Sequence, residues 1–198
     1  MVRKSRLFLR PGERRERTIS TNQLEERLRR CTFIVLDMDG VLTDGGIAFD
    51  GEGRPFRTVH VRDMTALTLW RLAGGRTAIV SGLGSKAVEA IAVQWQCTEH
   101  HMWVKDKARV CREIAQCHGV PLDEMAFLGD DIIDVRAMET AGLAVAVADA
   151  APEAKKAAHL VLDAEGGKGP VRELVHRVLT AQGRLEEVLE MYCNRKDA

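Results

Sequence analysis

Phe33-Ile34-Val35-Leu36 is an uninterrupted apolar run that stops at Asp37, the pattern of a strand covered on both faces. Before it, Ser20 and Gln23 have the Ser-x-x-Gln spacing of a helix start, and Leu24 and Leu28 fall four apart. These predict a short helix over 20–30. After it, Ile47–Phe49 and Phe56–Val61 flank Asp50-Gly51-Glu52-Gly53, turn chemistry that predicts a β-hairpin inserted over 44–61. Helical and extended patterns then alternate. A helix over Thr65–Ala73 leads to a strand at Thr77–Val80, a helix over Lys86–Trp95 and a short strand near His101–Val104. A helix over Asp106–His118, a strand at Met125–Leu128 and a helix over Asp131–Thr140 follow. Strands at Leu143–Val147 and Leu160–Leu162 bracket a helix begun at Pro152, and Val171–Ala181 closes as a helix. Repeated β-α units predict an α/β fold, a parallel sheet flanked by helices. Residues 20–182 read as one domain, 1–19 as a basic solvated extension and 183–198 as a tail.

Composition leaves that picture intact and narrows the partners. At 198 residues the chain can bury roughly 70% of its unfolded surface, so a sizeable core is available. Lys plus Arg and Asp plus Glu both number 29, which gives no overall attraction to nucleic acid or membrane. The balance is uneven: residues 1–30 carry ten Lys/Arg and four Glu, net +6, and the remainder is −6. The five cysteines are odd in number and contain no C-x-x-C pair, which fits buried thiols in a reducing compartment better than a disulfide frame or a zinc site. No apolar run approaches the ~18 residues of a membrane span, and the first residues lack the apolar segment of a signal peptide. A cytoplasmic protein is expected.

The chemistry lies where strands end. In open parallel sheets ligands bind beyond the carboxyl ends of the strands, and three predicted strands end in Asp37-Met38-Asp39, Ser81-Gly82 and Gly129-Asp130-Asp131. A cluster of Asp37, Asp39, Asp130 and Asp131 would repel itself unless a cation sat among them, and hard Mg²⁺ with oxygen ligands is the natural one. A turn rich in helix-capping aspartates would explain one such site but not two. Lys107 falls one residue after Asp106 at the start of a helix, where the macrodipole disfavours a cation; alone it reads as an ordinary surface lysine, and beside the acidic sites as a phosphate-facing ammonium.

Asp37-Met38-Asp39-Gly40-Val41-Leu42-Thr43-Asp44, Val80-Ser81-Gly82, Lys107 and Gly129-Asp130-Asp131-Ile132-Ile133-Asp134 resemble, in order and spacing, the four motifs of the haloacid dehalogenase superfamily. The resemblance runs from about Cys31 to Gln182. It is closest to the capless branch that contains 3-deoxy-D-manno-octulosonate 8-phosphate phosphatase, whose closing glycine-rich element is similar to Gly166-Gly167-Lys168-Gly169-Pro170-Val171-Arg172-Glu173. It implies that Asp37 is the nucleophile of a phosphomonoester hydrolase and Asp39 its general acid and base. It also implies that Ser81 and Lys107 hold the transferring phosphoryl group. Mg²⁺ would be held by Asp37, the Asp39 carbonyl and Asp130, with Asp131 as outer support; Asp134 matches the motif but reads as structural. Gly82, Arg62, Lys168 and Arg172 are implied in substrate binding. A homotetramer is implied too, with hairpins packed together and the glycine-rich element closing a neighbour's site.

Three positions depart from that branch. Arg62-Asp63-Met64-Thr65-Ala66 stands where it has Arg-Asp-Gly-x-Gly, Gly82-Leu83 where it has Gly-Arg, and Met102-Trp103 where it has Gln-Gly. The lost arginine removes a bidentate fork for a sugar carboxylate or phosphate, while Arg62 remains. The leading expectation is therefore a phosphatase of a 2-keto-3-deoxy sugar acid phosphate. A phosphatase of another small sugar phosphate and a catalytically silent oligomeric binding homologue are the alternatives.

Overall fold

The computed structural model describes residues 19–195. The basic extension read at 1–19 lies outside the described residues apart from Ile19.

A six-stranded, wholly parallel sheet organises the chain. Its strands are β1 (Phe33–Leu36), β4 (Arg76–Val80), β5 (Glu99–His101), β6 (Met125–Gly129), β7 (Leu143–Ala146) and β8 (Leu160–Val161), in the order β5-β4-β1-β6-β7-β8. A separate antiparallel hairpin pairs β2 (Ala48–Phe49) with β3 (Pro55–Phe56). All four residues of β1 are fully buried, as the continuous apolar run requires of a central strand. From β1 the chain builds outward through β4 to β5, then crosses back to add β6 on the other side. The reversal opens a crevice at the carboxyl end of β1.

The helices group into two layers. α1 (Thr21–Arg30), α2 (Val61–Leu72), α7 (Pro170–Ala181) and α8 (Leu185–Asn194) pack together; α4 (Lys107–His118), α5 (Val135–Thr140) and α6 (Pro152–Ala157) form the other group. α3 (Lys86–Gln94) lies against β5. The predicted start of α1 is present as a reciprocal capping box: Gln23 N–H donates to Ser20 Oγ at 3.2 Å and Ser20 N–H to Gln23 Oε1 at 2.9 Å.

Five elements differ from the sequence reading. The strand expected over Phe56–Val61 stops at Phe56, because Arg57 turns inward to a buried partner; α2 begins at Val61, four residues before the expected start, with His60 Nδ1 accepting from Arg62 N–H. The strand expected near His101–Val104 ends at His101, where Met102 and a left-handed Trp103 (φ 59°) bend the chain away. α5 starts at Val135 rather than Asp131, since the Asp134 carboxylate folds back onto the preceding N–H groups. The segment read as a tail contains α8, whose Leu185, Val188, Leu189 and Tyr192 recur at helical spacing and pack against the core.

α2 and α7 meet through a buried carboxylate. Asp63 Oδ1 accepts the Arg172 N–H at 2.8 Å in the first turn of α7, and its other oxygen is buried without a partner. Burial raises this carboxyl to about 6, against the opposing pull of the Arg172 and Val171 N–H groups. The unfolded chain ionises near 3.9, so between about pH 4 and 6 the folded state binds the proton more strongly and stability falls as pH rises. Asn at this position keeps the acceptor and has no charge to lose. The stability advantage of wild type over Asp63→Asn is expected to decline by on the order of 2–3 kcal/mol across that window, read from urea melts at each pH. A difference that stays flat from pH 4 to 6 would refute the linkage.

Candidate active site

The register of the sheet brings three strand ends to one edge. Leu36 pairs with Ile79 on β4 and with Leu128 on β6, so Asp37, Ser81 and Asp130 emerge together. Asp37 N–H donates to Leu128 O at 3.0 Å, which continues the β1–β6 ladder into the site. Asp37 is almost fully buried, and its Oδ1 accepts from Met38 N–H at 2.7 Å and from the Lys107 ammonium at 2.7 Å. Lys107 also reaches Asp134 Oδ1 at 2.6 Å, with only 2% of its side chain exposed. That burial excludes the ordinary surface lysine that the sequence left open for this residue.

Oxygens of Asp37, Asp130 and Asp134 lie within 4.8 Å of one another. Their electrostatics are unfavourable in the protein alone. Burial, then the Asp134 charge, pushes the Asp37 carboxyl well above its ordinary value despite Lys107. The same two causes lift Asp130 to about 7. Asp134 has both oxygens engaged, Oδ1 by Lys107 and Oδ2 by the N–H groups of Asp130 at 3.0 Å and Asp131 at 3.4 Å. Asp130 Oδ1, by contrast, is buried and has no partner. Excess negative charge, oxygen donors only and an orphaned carboxylate oxygen fit a hard divalent cation.

Gly40 makes room for this arrangement. A side chain there would put its Cβ 2.0 Å from Asp130 Oδ2, and the backbone φ of +88° is left-handed as well. The turn over Met38–Leu42, closed by Thr43 N–H to Met38 O, therefore needs glycine on both counts.

Asp39 leaves β1 on the outer side of the cluster, and a residue missed at the sequence level holds it there. Arg57, just after β3, pairs with it fork to fork: Nε meets Oδ1, and Nη2 donates to Oδ2 at 3.2 Å. The Arg57 side chain is 4% exposed, and its Nη1 is buried without a partner. An arginine in a polar hairpin reads as a solvated charge, so no sequence signal marked it. Ser81 is buried, and its hydroxyl donates to Leu83 O at 2.5 Å while accepting from Leu83 N–H at 3.2 Å, which shapes the loop after β4. Gly82 sits against Val104 O and Ile133.

Other expected residues lie elsewhere. Asp131 is exposed and caps Ile132 N–H at 2.7 Å, and Asp134 stands in the cluster in its place. Arg62, Lys168 and Arg172 line a shallow cleft over α2 and α7 that none of the clustered aspartates lines. The glycine-rich loop preceding α7 packs on its own chain: Gly167 N–H donates to Val41 O at 2.9 Å, and a Cβ on Gly166 would fall 2.1 Å from Gly40 O.

Residues 76–169 match the family described as haloacid dehalogenase-like hydrolase. The chain is 32% identical over 161 residues to 3-deoxy-D-manno-octulosonate 8-phosphate phosphatase KdsC of Haemophilus influenzae, covering 81% of this chain and 89% of that one. Among solved structures it superposes on a putative HAD superfamily (subfamily III A) hydrolase from Legionella pneumophila with a TM-score of 0.85 and 31% identity, over 88% of this chain and 96% of the other. It also superposes on the cobalt-bound deoxy-D-mannose-octulosonate 8-phosphate phosphatase of Haemophilus influenzae with a TM-score of 0.78 and 32% identity, over 80% and 93% of the two chains. With its motifs at the ends of adjacent strands and its length aligned almost throughout, the chain belongs to the haloacid dehalogenase-like hydrolase family.

Proposed function

We propose that this phosphatase hydrolyses a 2-keto-3-deoxy sugar acid phosphate such as 3-deoxy-D-manno-octulosonate 8-phosphate, with Mg²⁺ and through an aspartyl-phosphate at Asp37. The observation that carries the reading is the buried Asp37 carboxylate, fixed by Met38 N–H and Lys107 beside the unpartnered Asp130 oxygen. The substrate class rests on the relatives, which carry that activity in their names.

Asp37 and Asp130 would hold the cation through side chains and Asp39 through its carbonyl. Bound there, Mg²⁺ offsets carboxylate repulsion and neutralises phosphoryl charge. Asp37 attacks phosphorus as the bond to the sugar oxygen breaks, and Asp39 gives that oxygen its proton. Asp39 then takes a proton from water as the water oxygen attacks phosphorus, releasing inorganic phosphate and restoring the Asp37 carboxylate. Lys107 holds Asp37 in place and balances charge across both steps, since phosphoryl transfer is catalysed chiefly by positioning and electrostatics. Asp134 orients Lys107 and the β6–α5 turn. Ser81 hydrogen-bonds the phosphoryl oxygens once its hydroxyl turns from Leu83.

A homotetramer in the cytoplasm completes the reading. Phe49 and Phe56 are 65% and 51% exposed on the hairpin, apolar surface that a second hairpin would cover. Five free thiols support a reducing compartment, and no helix among the described residues is long and apolar enough to cross a membrane.

Mg²⁺-dependent phosphate release should appear on a panel of sugar phosphates, highest on the octulosonate ester, and vanish in Asp37→Asn. Turnover surviving in that variant would remove Asp37 from the chemistry, and silence of folded, Mg²⁺-loaded wild type across the panel would favour a binding homologue. Arg57→Lys keeps the charge but loses the fork, and should lower kcat roughly 10- to 100-fold with KM changed less than about twofold, because the fork positions Asp39 rather than the ground-state ligand. A change confined to KM would make Arg57 a substrate-binding residue. Light scattering should give four subunits for wild type and fewer for Phe49→Lys/Phe56→Lys; an unchanged mass would place the contact elsewhere.

A further inference from the structure

A second cluster lies at the opposite end of α4 from Lys107, outside everything the phosphatase reading uses. Glu99 and His101 alternate onto one face of β5, the edge strand, and His101 Nε2 lies 2.7 Å from Glu99 Oε2. The other oxygen of that carboxylate meets His118 Nε2, from the last residue of α4. Cys117 precedes it. A Glu99 oxygen, Cys117 Sγ and a His118 ring nitrogen all lie within 4.8 Å of one another.

Two of these groups are already held in place. The His118 ring packs on Phe33 at 5.5 Å, and its carbonyl accepts from Arg76 Nη1 at 3.3 Å. Glu99 is fixed by two imidazoles, and their hydrogen bonds hold its carboxyl below the ordinary range, outweighing the effect of its partial burial. Cys117 is exposed, so both its thiol and the open side of the group can be reached from solvent.

We propose that Glu99, Cys117 and His118 form a binding site for a borderline-soft divalent cation of the Zn²⁺ class. His101 would hydrogen-bond the coordinated carboxylate from outside the coordination shell, and water would fill the remaining position. Sulfur, nitrogen and oxygen donors together suit Zn²⁺ and its analogues, whereas Mg²⁺ takes oxygen. Binding exchanges the His118–Glu99 hydrogen bond for Zn–N and Zn–O bonds, keeps the imidazole proton on the ring nitrogen away from the cation, and forms Zn–S with release of the Cys117 thiol proton to solvent. The site joins β5 to the C-terminus of α4. His101 O accepts the Ser81 N–H at 2.9 Å and Lys107 begins α4, so a cation here would brace the frame that carries two residues of the proposed active site.

Co²⁺ is the probe, because a thiolate ligand gives it a charge-transfer absorption that a carboxylate site cannot produce. The full chain in excess Mg²⁺ should develop that band to one equivalent of Co²⁺ per chain, and Zn²⁺ should abolish it. Cys117→Ser should lose the band, and His118→Asn should weaken Co²⁺ binding by roughly 10-fold or more. Cys193→Ser should retain the band. Cys31, Cys97 and Cys111, pushed up to about 12 by burial, compete poorly as thiolates. Calorimetric titration with Zn²⁺ should show the same order of affinities, with circular dichroism confirming that each variant folds. Absence of the band, its survival in Cys117→Ser, or equal Zn²⁺ affinity in wild type and both variants would overturn the site and leave Glu99 as a hydrogen-bond partner of two histidines.

Discussion

The Lys107 ammonium, lodged between Asp37 and Asp134, joins the three pieces of chain that make the site: the end of β1, the start of α4 and the β6–α5 turn. Burial works against the lysine's charge, and the two aspartates outweigh it, so the ammonium is more firmly protonated than a free lysine. Removing one member of such a buried pair costs about 3–5 kcal/mol, because the remaining charge has neither water nor partner. The arrangement is still unbalanced. Three carboxylates share one ammonium, and the surplus falls on Asp37 and Asp130, both pushed toward their protonated forms. A divalent cation relieves the same surplus that makes the site costly to fold, so metal affinity and local instability have one origin.

That constraint accounts for the backbone around it. Asp130 can approach only because Gly40 has no side chain, and Gly40 reaches its left-handed conformation only as glycine. The glycine-rich loop before α7 then closes against the same turn, with the Gly167 N–H on Val41 O. Asp63 anchors the start of α7 from α2. Two glycine-bearing segments far apart in sequence thus meet at one point for one steric reason: backbone must lie where a Cβ would strike a carboxylate or a carbonyl.

The sheet and two of the clustered aspartates, Asp37 and Asp130, were legible because each signal is local: apolar runs mark buried strands, and acids at their ends mark the crevice. Interactions made by side-chain direction were not. Asp131 and Asp134 are the same residue type in one motif, and only the turn that delays α5 sends Asp134 inward while Asp131 caps Ile132. Arg57 belongs to a polar hairpin and is recognisable only once the chain has folded it onto Asp39. Glu99 and His118 come from a strand and a helix 19 positions apart, so no ligand spacing announces them. The helix α8 was read as a tail: its signal, the recurrence of Leu185, Val188, Leu189 and Tyr192, is obscured by the polar residues between.

The departures from the branch pattern turn out to be physically linked. A Cβ on Gly84 would meet Trp103 Nε1 at 2.5 Å and Met102 Cβ at 2.9 Å, so the indole lies on the loop where the branch carries its arginine. Trp103 is 67% exposed and Leu83 beside it 45%, which gives this rim an apolar surface in place of a guanidinium fork. The Asp37, Lys107 and Asp134 side chains bond to one another and to the Met38, Asp130 and Asp131 N–H groups, none of which belongs to that rim. Substitution there changes the rim without disturbing the charges of the aspartate–lysine cluster. Arg57 Nη1 is buried beside Asp39 without a partner. On the proposed reading, discrimination among sugar phosphates rests more on shape and apolar contact at Leu83 and Trp103 than on a bidentate fork from Arg57, because that fork is taken up by Asp39.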